Sequence, residues 1–216
     1  MKNNIFNFSK IAFIAMIAVF TSCKKPDTTP PVIILEGSAS ITIFLQGTYT
    51  ELWAVATDDV NGSLSPVLSG TVNTNLAGVY LLTYSATDAA GNTGSAVRTV
   101  TVQNAAAAMA GSYQCTITAG GSPAPPYLQT VTASSTLNNK INFSRFSNYD
   151  GNTSIYAMAA GAAITIPRQQ ASQIGIPPAD RTFAGFGNTN PGGFQLTYTD
   201  STSTGSVTKS EVFVKQ

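Results

Sequence analysis

The chain of 216 residues contains no histidine. Catalytic triads with an imidazole base and zinc sites with histidine ligands are therefore excluded. Cysteine is nearly absent too, since Cys23 and Cys115 are the two in the sequence. Cys23 has a separate role, argued below, so the rest of the chain cannot form an internal disulfide. We expect Cys115 to be a buried, unreactive thiol, because alternate residues around it are apolar.

Charge is also scarce. Charged residues make up 10% of the chain, and the 11 basic and 10 acidic side chains nearly cancel. The sequence has no basic stripe that could neutralise phosphates, so we expect no nucleic-acid partner. The abundance of small polar residues is instead typical of exported β proteins, whose strands and turns use them.

Long hydrophobic runs are missing as well, and the main one, Ile11–Phe20, lies near the N terminus. It is about half the length of the roughly 20 residues that a membrane-spanning helix needs. Lysines precede it, two small residues follow it, and the next residue is Cys23. This order resembles the lipobox of bacterial lipoproteins, except that Phe20 stands where leucine is commoner. The resemblance implies a lipoprotein signal peptide at residues 1–22 and a lipid on Cys23. An ordinary secretory signal or an uncleaved anchor is the alternative.

Residues 23–31 are predicted to form a lipidated tether. They show no apolar periodicity and contain three prolines, which favours an extended segment. The first residues after the cysteine, Lys24–Asp27, partly resemble the signals that export lipoproteins to the cell surface. We therefore expect a lipid-anchored protein of the outer membrane, and the sequence leaves open whether it faces the periplasm or the exterior.

Residues 32–103 have the pattern of a β-sandwich. Short segments in which apolar and polar residues alternate are separated by turns rich in Asp, Asn and Gly. The clearest strands and turns are Ser40–Leu45, Val79–Ala86, Arg98–Val102, Asp58–Gly62 and Asp88–Asn92.

Three segments of this region are distinctive enough to compare with known domain families, namely Ala56–Asp59, Thr83–Asn92 and Arg98–Val102. In order and spacing, residues 27–102 resemble the immunoglobulin-like domain of bacterial surface proteins and of some pesticidal crystal proteins. The resemblance implies a seven-stranded sandwich that typically serves as a spacer or adhesion module. It implies no catalysis, because a fold alone does not assign an activity.

One departure from that family concerns Trp53, which stands where a small residue is common. An exposed indole would be a platform for a sugar ring or a protein partner. Alternatively, Trp53 packs against a neighbouring strand or against the second domain.

A second departure concerns the acidic turns. Asp58, Asp59 and Asp88 could donate oxygens to calcium, which binds six to eight of them. However, the family often has an acidic residue where this chain has Ser63. Capping of the turns by the aspartate side chains explains the same residues without a metal.

Residues 104–110 are predicted to be a linker of small residues, and residues 111–216 a second all-β domain. Its alternating segments without a helical stretch indicate an antiparallel meander, closed as a barrel or folded as a sandwich, with a lipocalin-like barrel as the specific expectation. Motifs such as Phe183–Gly187 and Gly193–Tyr198 resemble the C-terminal domains of lipoproteins from Bacteroidota. The eight candidate strands are Ser112–Thr118, Leu128–Ser134, Lys140–Phe146, Ser154–Ala159, Ala163–Pro167, Thr182–Gly187, Gly193–Asp200 and Ser206–Lys215.

The four carboxylates of this second domain do not form an evident catalytic pair. Asp150, Asp180 and Asp200 are predicted to be turn residues, and Glu211 lies in an alternating strand on the face opposite Val212. An acid–base enzyme would need two carboxylates that face one substrate. We therefore expect no enzymatic activity.

Ligand binding is the better expectation for the second domain. The stretch from Phe146 to Asn152 places Phe146, Tyr149, Asp150 and Asn152 around a turn. Aromatic faces combined with amide and carboxylate groups are typical of sugar sites. The alternative for each aromatic residue is a place in the core.

These observations predict a non-enzymatic cell-envelope lipoprotein. Its immunoglobulin-like stalk would present a C-terminal β domain that binds a glycan or an outer-membrane protein, as an accessory to nutrient uptake. A purely structural spacer and a carrier of a small apolar ligand are the alternatives. No cofactor is expected apart from the calcium alternative, and the membrane is a partner through the lipid anchor.

Overall fold

The computed structural model describes residues 25–149, 154–176 and 178–216. Strands account for nearly all regular structure within these ranges, together with two short 3-10 turns. The predicted all-β class is therefore confirmed. In the same ranges, no helix has the length and apolar character that crossing a bilayer requires. The predicted signal peptide and the predicted lipidation site, Cys23, lie outside the described residues.

The N-terminal domain is a sandwich of two small sheets. Strands β1, β3 and β4 form one sheet, and the other has the order β2-β7-β6-β5, in which β2 runs parallel to β7. Alternate residues of β6 and β7 point into the core, where Leu82, Tyr84 and Val100 pack with Ala54. The seven strands are β1 (Val32–Leu35), β2 (Ser40–Phe44), β3 (Ala54–Asp58), β4 (Gly62–Leu64), β5 (Val67–Ser69), β6 (Gly78–Thr87) and β7 (Thr93–Gln103). The seven-stranded sandwich implied by the sequence resemblance is present.

A buried ion pair ties the two sheets of this sandwich together. The fully buried Arg98 on β7 donates from Nη1 to Glu51 at 2.6 Å. Its Nη2 donates to the backbone oxygens of Glu36 and Trp53, at 2.5 and 3.2 Å. Tyr49 donates its hydroxyl proton to Glu51 as well. These bonds compensate the cost of removing the charges from water.

The linker is held by one buried side chain. Asn104 donates from Nδ2 to the backbone oxygens of Ser134 and Lys140, each at 3.0 Å, and accepts from the Asn139 N–H at 2.9 Å. A 3-10 turn at Ala107–Met109 follows. The predicted linker therefore enters the second domain through a loop that is fixed by hydrogen bonds.

The C-terminal domain is a closed antiparallel barrel of eight strands. Each strand pairs with the next one along the chain, and β8 closes the barrel by pairing with both β16 and β10. The short β9 forms a hairpin with β8 outside the closure. The strands are β8 (Gly111–Ala119), β9 (Ser122–Pro123), β10 (Tyr127–Ala133), β11 (Lys140–Phe143), β12 (Tyr156–Ala160), β13 (Ala163–Ile174), β14 (Ala179–Asn190), β15 (Gly193–Thr202) and β16 (Gly205–Lys215). Of the two predicted closures, the structure has the barrel, with the strand number and order of lipocalins.

Aromatic rings occupy the interior of the barrel. Neighbouring rings lie 4.1 to 6.4 Å apart, and Phe194 stacks on Phe213 at the shortest of these distances. The buried aromatic residues in contact are Tyr113, Phe143, Phe146, Phe183, Phe194, Tyr198 and Phe213. Cys115 is also fully buried there, and burial raises the pKa of its thiol to about 12, as expected for an unreactive thiol. The packed rings argue against the apolar-carrier alternative.

Glycines on β14 explain why strands can pack so closely at one side of the barrel. A Cβ atom on Gly187 would lie 1.9 Å from the backbone oxygen of Gln195 on β15. A Cβ on Gly185 would lie 2.4 Å from the oxygen of Thr197. Only glycine permits such an approach of two backbones.

Candidate binding site at the barrel mouth

Two charged side chains of β16, Lys209 and Glu211, point towards the inside of the barrel. Glu211 is fully buried, whereas Val212 is partly exposed and Phe213 is buried. The prediction that Glu211 and Val212 lie on opposite faces of the strand is confirmed. Glu211 is on the face that points into the barrel, and Val212 is on the outer face. Lys209, Glu211 and Phe213 share this face because strand side chains alternate with a period of two.

Glu211 is held by two tyrosine hydroxyls from other strands. Tyr198 on β15 donates to its Oε2 at 2.8 Å, and Tyr127 on β10 donates to its Oε1. Burial raises the pKa of Glu211 to about 7, although both tyrosine hydrogen bonds and the charge of Lys209 act in the opposite direction. Glu211 is therefore an enclosed carboxyl group that gains or loses its proton near neutral pH.

Asp200 is not a turn residue, contrary to the sequence prediction. It lies inside β15, which continues to Thr202, and its side chain is buried between two cations. Arg181 on β14 donates from Nη1 to both carboxylate oxygens at 3.1 Å, and Lys209 donates to Oδ2 at 2.7 Å. The prediction failed because hydroxyl residues after Asp200 suggested a turn, whereas the β15–β16 hairpin bends only at residues 203–204.

Tyr149 completes this group of charged residues. Its hydroxyl donates to Asp200 Oδ2 at 2.6 Å and accepts from Lys209 Nζ at 3.0 Å. The Arg181 guanidinium lies 4.5 Å from the ring centroid, a cation–π distance. Burial acts to raise the pKa of Asp200, but hydrogen bonds from Lys209, Tyr149 and Arg181 outweigh it and hold that pKa below its ordinary value.

These four side chains border a cavity of about 700 Å³. We call this region, defined by Tyr149, Arg181, Asp200 and Lys209, the barrel mouth. The β15–β16 hairpin forms its outer wall with a run of hydroxyl side chains. The lining hydroxyl residues are Thr202, Ser203, Thr204 and Ser206. With two cations and one carboxylate, the barrel mouth carries an excess of one positive charge.

The barrel mouth lies at the end of the barrel that is remote from the sandwich. Strand β8 begins next to the linker at Gly111 and reaches the cavity at Ala119. Nine strand residues span about 30 Å. The fold therefore points the cavity away from the N-terminal domain and from the tether.

Of the predicted binding residues that the structure describes, Tyr149 alone lines the cavity at the barrel mouth. Tyr149 lies at the barrel mouth, but Phe146 is fully buried among Phe143, Phe183 and Tyr198 and packs the core instead of facing a ligand. The prediction for Phe146 was wrong because a 3-10 turn folds this residue into the barrel. Asp150 and Asn152 lie outside the described residues.

Trp53 lies on the other domain. It is 57% exposed and keeps a left-handed backbone with φ of 66°. The Arg98 and Glu51 side chains bind its backbone oxygen and its N–H and so fix this conformation. Exposure favours the platform alternative over packing, at a place separate from the barrel mouth.

Sequence reasoning missed Arg181 and Lys209. The sequence does contain a pattern that indicates the inward direction of Lys209. This residue lies two positions before Glu211 and four before Phe213, an evident core residue, so all three share one face of the strand. Charged residues at inward positions of a strand indicate either a paired cluster or a functional site. Arg181 carried no comparable signal, because its strand begins with the non-alternating segment Ala179–Thr182.

The acidic turns are divided between two environments. Asp88 accepts hydrogen bonds from the backbone and the side chain of Asn92, at 2.8 and 2.7 Å, as expected for a turn cap. Asp58 and Asp59 lie instead with Asp27 of the tether. Asp88 thus has the turn-capping role that was the alternative to calcium, and it lies outside the group of carboxylates formed by Asp27, Asp58 and Asp59.

Comparison with known proteins identifies the first domain. Residues 33–102 match the family described as bacterial surface protein, Ig-like domain. This part of the chain is a bacterial surface Ig-like domain. No curated protein matches the chain. The Ig-like match covers the sandwich alone, and the barrel lies beyond it.

Two solved structures show weak likeness over 86% of this chain. One is the lipoprotein BT2262 from Bacteroides thetaiotaomicron, covered completely, with 18% identity and a TM-score of 0.34. The other contains CBM51-2 in complex with GlcNAc and the INT domains of ZmpB from Clostridium perfringens, covered to 44%, with 12% identity and a TM-score of 0.28. This chain thus spans less than half of the second structure. At these scores neither structure bears on what this chain does.

Proposed function

We propose that this protein is a non-enzymatic lipoprotein of the bacterial cell envelope that binds an acidic, hydroxyl-rich glycan at its barrel mouth. The Ig-like domain serves as a stalk between the membrane and the barrel. The lipid on Cys23 anchors the chain in the outer membrane. The cavity at the barrel mouth is the observation that carries the proposal.

The chemistry of the cavity suits an anionic sugar. Arg181 holds Asp200 with Nη1 and the Ile174 backbone oxygen with Nε, while its Nη2 makes no hydrogen bond within the described ranges. A guanidinium edge of this kind binds a carboxylate or sulfate group through charge-assisted bonds. The hydroxyl groups of the β15–β16 hairpin can exchange hydrogen bonds with sugar hydroxyls.

The carboxyl groups near the barrel mouth are not placed for glycoside hydrolysis. Glycoside hydrolysis needs two carboxyl groups that both reach the scissile bond. Asp200 is neutralised by two cations, and Glu211 is fully buried behind tyrosines and does not line the cavity. A glycan in the barrel mouth would therefore be bound without meeting an acid–base pair.

A glycan and polysaccharide array, probed with the full chain in mild detergent, tests this function. We expect reproducible binding to carboxylated or sulfated glycans. Arg181→Gln should weaken that binding about tenfold to a hundredfold, because one charged hydrogen-bonding group is worth roughly 1.5–3 kcal/mol. Arg168→Gln is the matched control, since Arg168 is an exposed arginine of the same domain that does not line the cavity.

Other outcomes of the array separate the alternatives. Folded protein that binds none of the glycans would reject the proposal and favour the spacer. Binding that survives Arg181→Gln but is lost in Trp53→Ala would move the site to the Ig-like domain. Binding to neutral glycans alone would contradict the acidic specificity.

A further inference from the structure

Three acidic side chains meet where the tether joins the Ig-like domain. Carboxylate oxygens of Asp27, Asp58 and Asp59 lie within 4.8 Å of one another. Asp58 ends β3 and Asp59 starts the following turn, whereas Asp27 belongs to the tether. We call these three residues the tether cluster.

Two oxygens of the tether cluster are enclosed and have no hydrogen-bond partner among the residues that the structure describes. Asp58 is 4% exposed, and its Oδ1 accepts the N–H groups of Val60 and Asn61 at 3.1 and 2.6 Å. Its Oδ2 is buried and receives no hydrogen bond. Asp27 repeats this pattern, with Oδ1 bound to the Thr29 N–H at 3.0 Å and a buried, unpartnered Oδ2.

Such an arrangement is unfavourable for the protein alone. Buried polar atoms without a partner cost free energy, and carboxylates at close distance repel each other. In the described ranges, no lysine or arginine forms an ion pair with any member of the tether cluster. The turn-capping role explains Oδ1 of Asp58 but leaves both Oδ2 atoms without a function.

We propose that the tether cluster binds a calcium ion, which fastens the tether to the Ig-like domain. Calcium bonds oxygen at about 2.4 Å, so one ion can reach oxygens up to about 4.8 Å apart. Three carboxylates supply half of a six-oxygen shell, and water completes it. Magnesium is the poorer fit because it requires a tighter octahedron and releases its water reluctantly.

The neighbouring backbone prepares the tether for this role. Asn92 donates from Nδ2 to the backbone oxygen of Asp27 at 3.2 Å and also binds Asp88. Further along, a Cβ atom on Gly94 would lie 1.8 Å from the backbone oxygen of Pro31, so the tether approaches β7 closely. Bound calcium would extend this contact to Asp27, four residues after the lipidated cysteine.

Calcium titration of the full chain in mild detergent, after treatment with EDTA, tests the proposal by calorimetry. We expect one calcium per chain with a dissociation constant of about 10⁻⁴ to 10⁻³ M, the range of extracellular calcium modules. The melting temperature of the Ig-like domain should rise with calcium, because an ion that binds only the folded state stabilises it. Magnesium at equal concentration should produce a smaller rise.

Two variants and one control make the test specific. Asp27→Asn and Asp59→Asn should each weaken calcium binding at least about tenfold, since affinity follows the number of charged ligands. An asparagine at position 27 can still accept the Thr29 N–H, so this variant is expected to fold. Glu36→Gln, which changes an exposed carboxylate of the same domain, should bind like the wild type. Absence of binding to folded wild type, or equal binding by Asp27→Asn, overturns the proposal.

Discussion

Replacing Glu211 by glutamine should abolish a pH dependence of stability that the barrel otherwise has. Burial raises the pKa of this carboxyl group from 4.5 to about 7 in the folded protein. Below pH 4.5, Glu211 is protonated in the folded and the unfolded chain, and the stabilisation is fully present. As the pH rises through 7, the folded state loses the bound proton, and the stabilisation disappears.

The magnitude follows from the two pKa values. A rise from 4.5 to about 7 corresponds to roughly 3 kcal/mol of unfolding free energy. The full difference applies because the side chain is enclosed and little screened. Between these two pKa values few other side chains titrate, since the chain has no histidine. Asp200, whose pKa is lowered, loses its contribution only at more acidic pH.

Urea unfolding at pH 5 and pH 8, followed by the near-ultraviolet circular dichroism of the barrel tyrosines, measures this effect. Wild type should lose roughly 3 kcal/mol between the two values, while Glu211→Gln should change little. The variant should be the more stable protein at pH 8. It can still accept a hydrogen bond from Tyr127 or Tyr198 through its amide oxygen. The same pH dependence in both proteins would refute the reasoning.

Two further changes test other parts of the molecule. Arg98→Ala should destabilise the Ig-like domain by about 3–5 kcal/mol, because it removes the buried cation that compensates the mostly enclosed Glu51 carboxylate. The fluorescence of Trp53, the single tryptophan, reports the unfolding midpoint. A loss below about 1 kcal/mol would contradict the role of the ion pair. Cys23→Ser should abolish metabolic labelling with radioactive palmitate and release the chain from the membrane fraction, whereas retained labelling would exclude Cys23 as the lipid site.

The strand positions of this protein were readable from the sequence, because alternation of apolar and polar residues is a local property. The eight predicted C-terminal strands all overlap an observed strand of the barrel. What alternation does not tell is which face becomes the interior when a charged residue is buried. Phe213 marks the inward face of β16, but the sequence does not show that Glu211 can share this face, because its partners Tyr127 and Tyr198 come from other strands.

The candidate sites were harder to predict, since they depend on contacts between remote segments. The barrel mouth joins Tyr149, Arg181 and Lys209 from three parts of the chain, and only barrel closure makes them neighbours. The tether cluster shows the same limit. Asp27 belonged to a proline-rich segment that was interpreted as a spacer, and nothing local links it to Asp58.

Amide hydrogen exchange of the full chain, with and without the strongest glycan ligand from the array, tests the central claim most directly. Binding at the barrel mouth should slow exchange in residues 200–209 and around Tyr149, and leave the Ig-like sheets unchanged. Slower exchange confined to the Ig-like domain, or no change at saturating ligand, would contradict the assignment of the binding site to the barrel mouth.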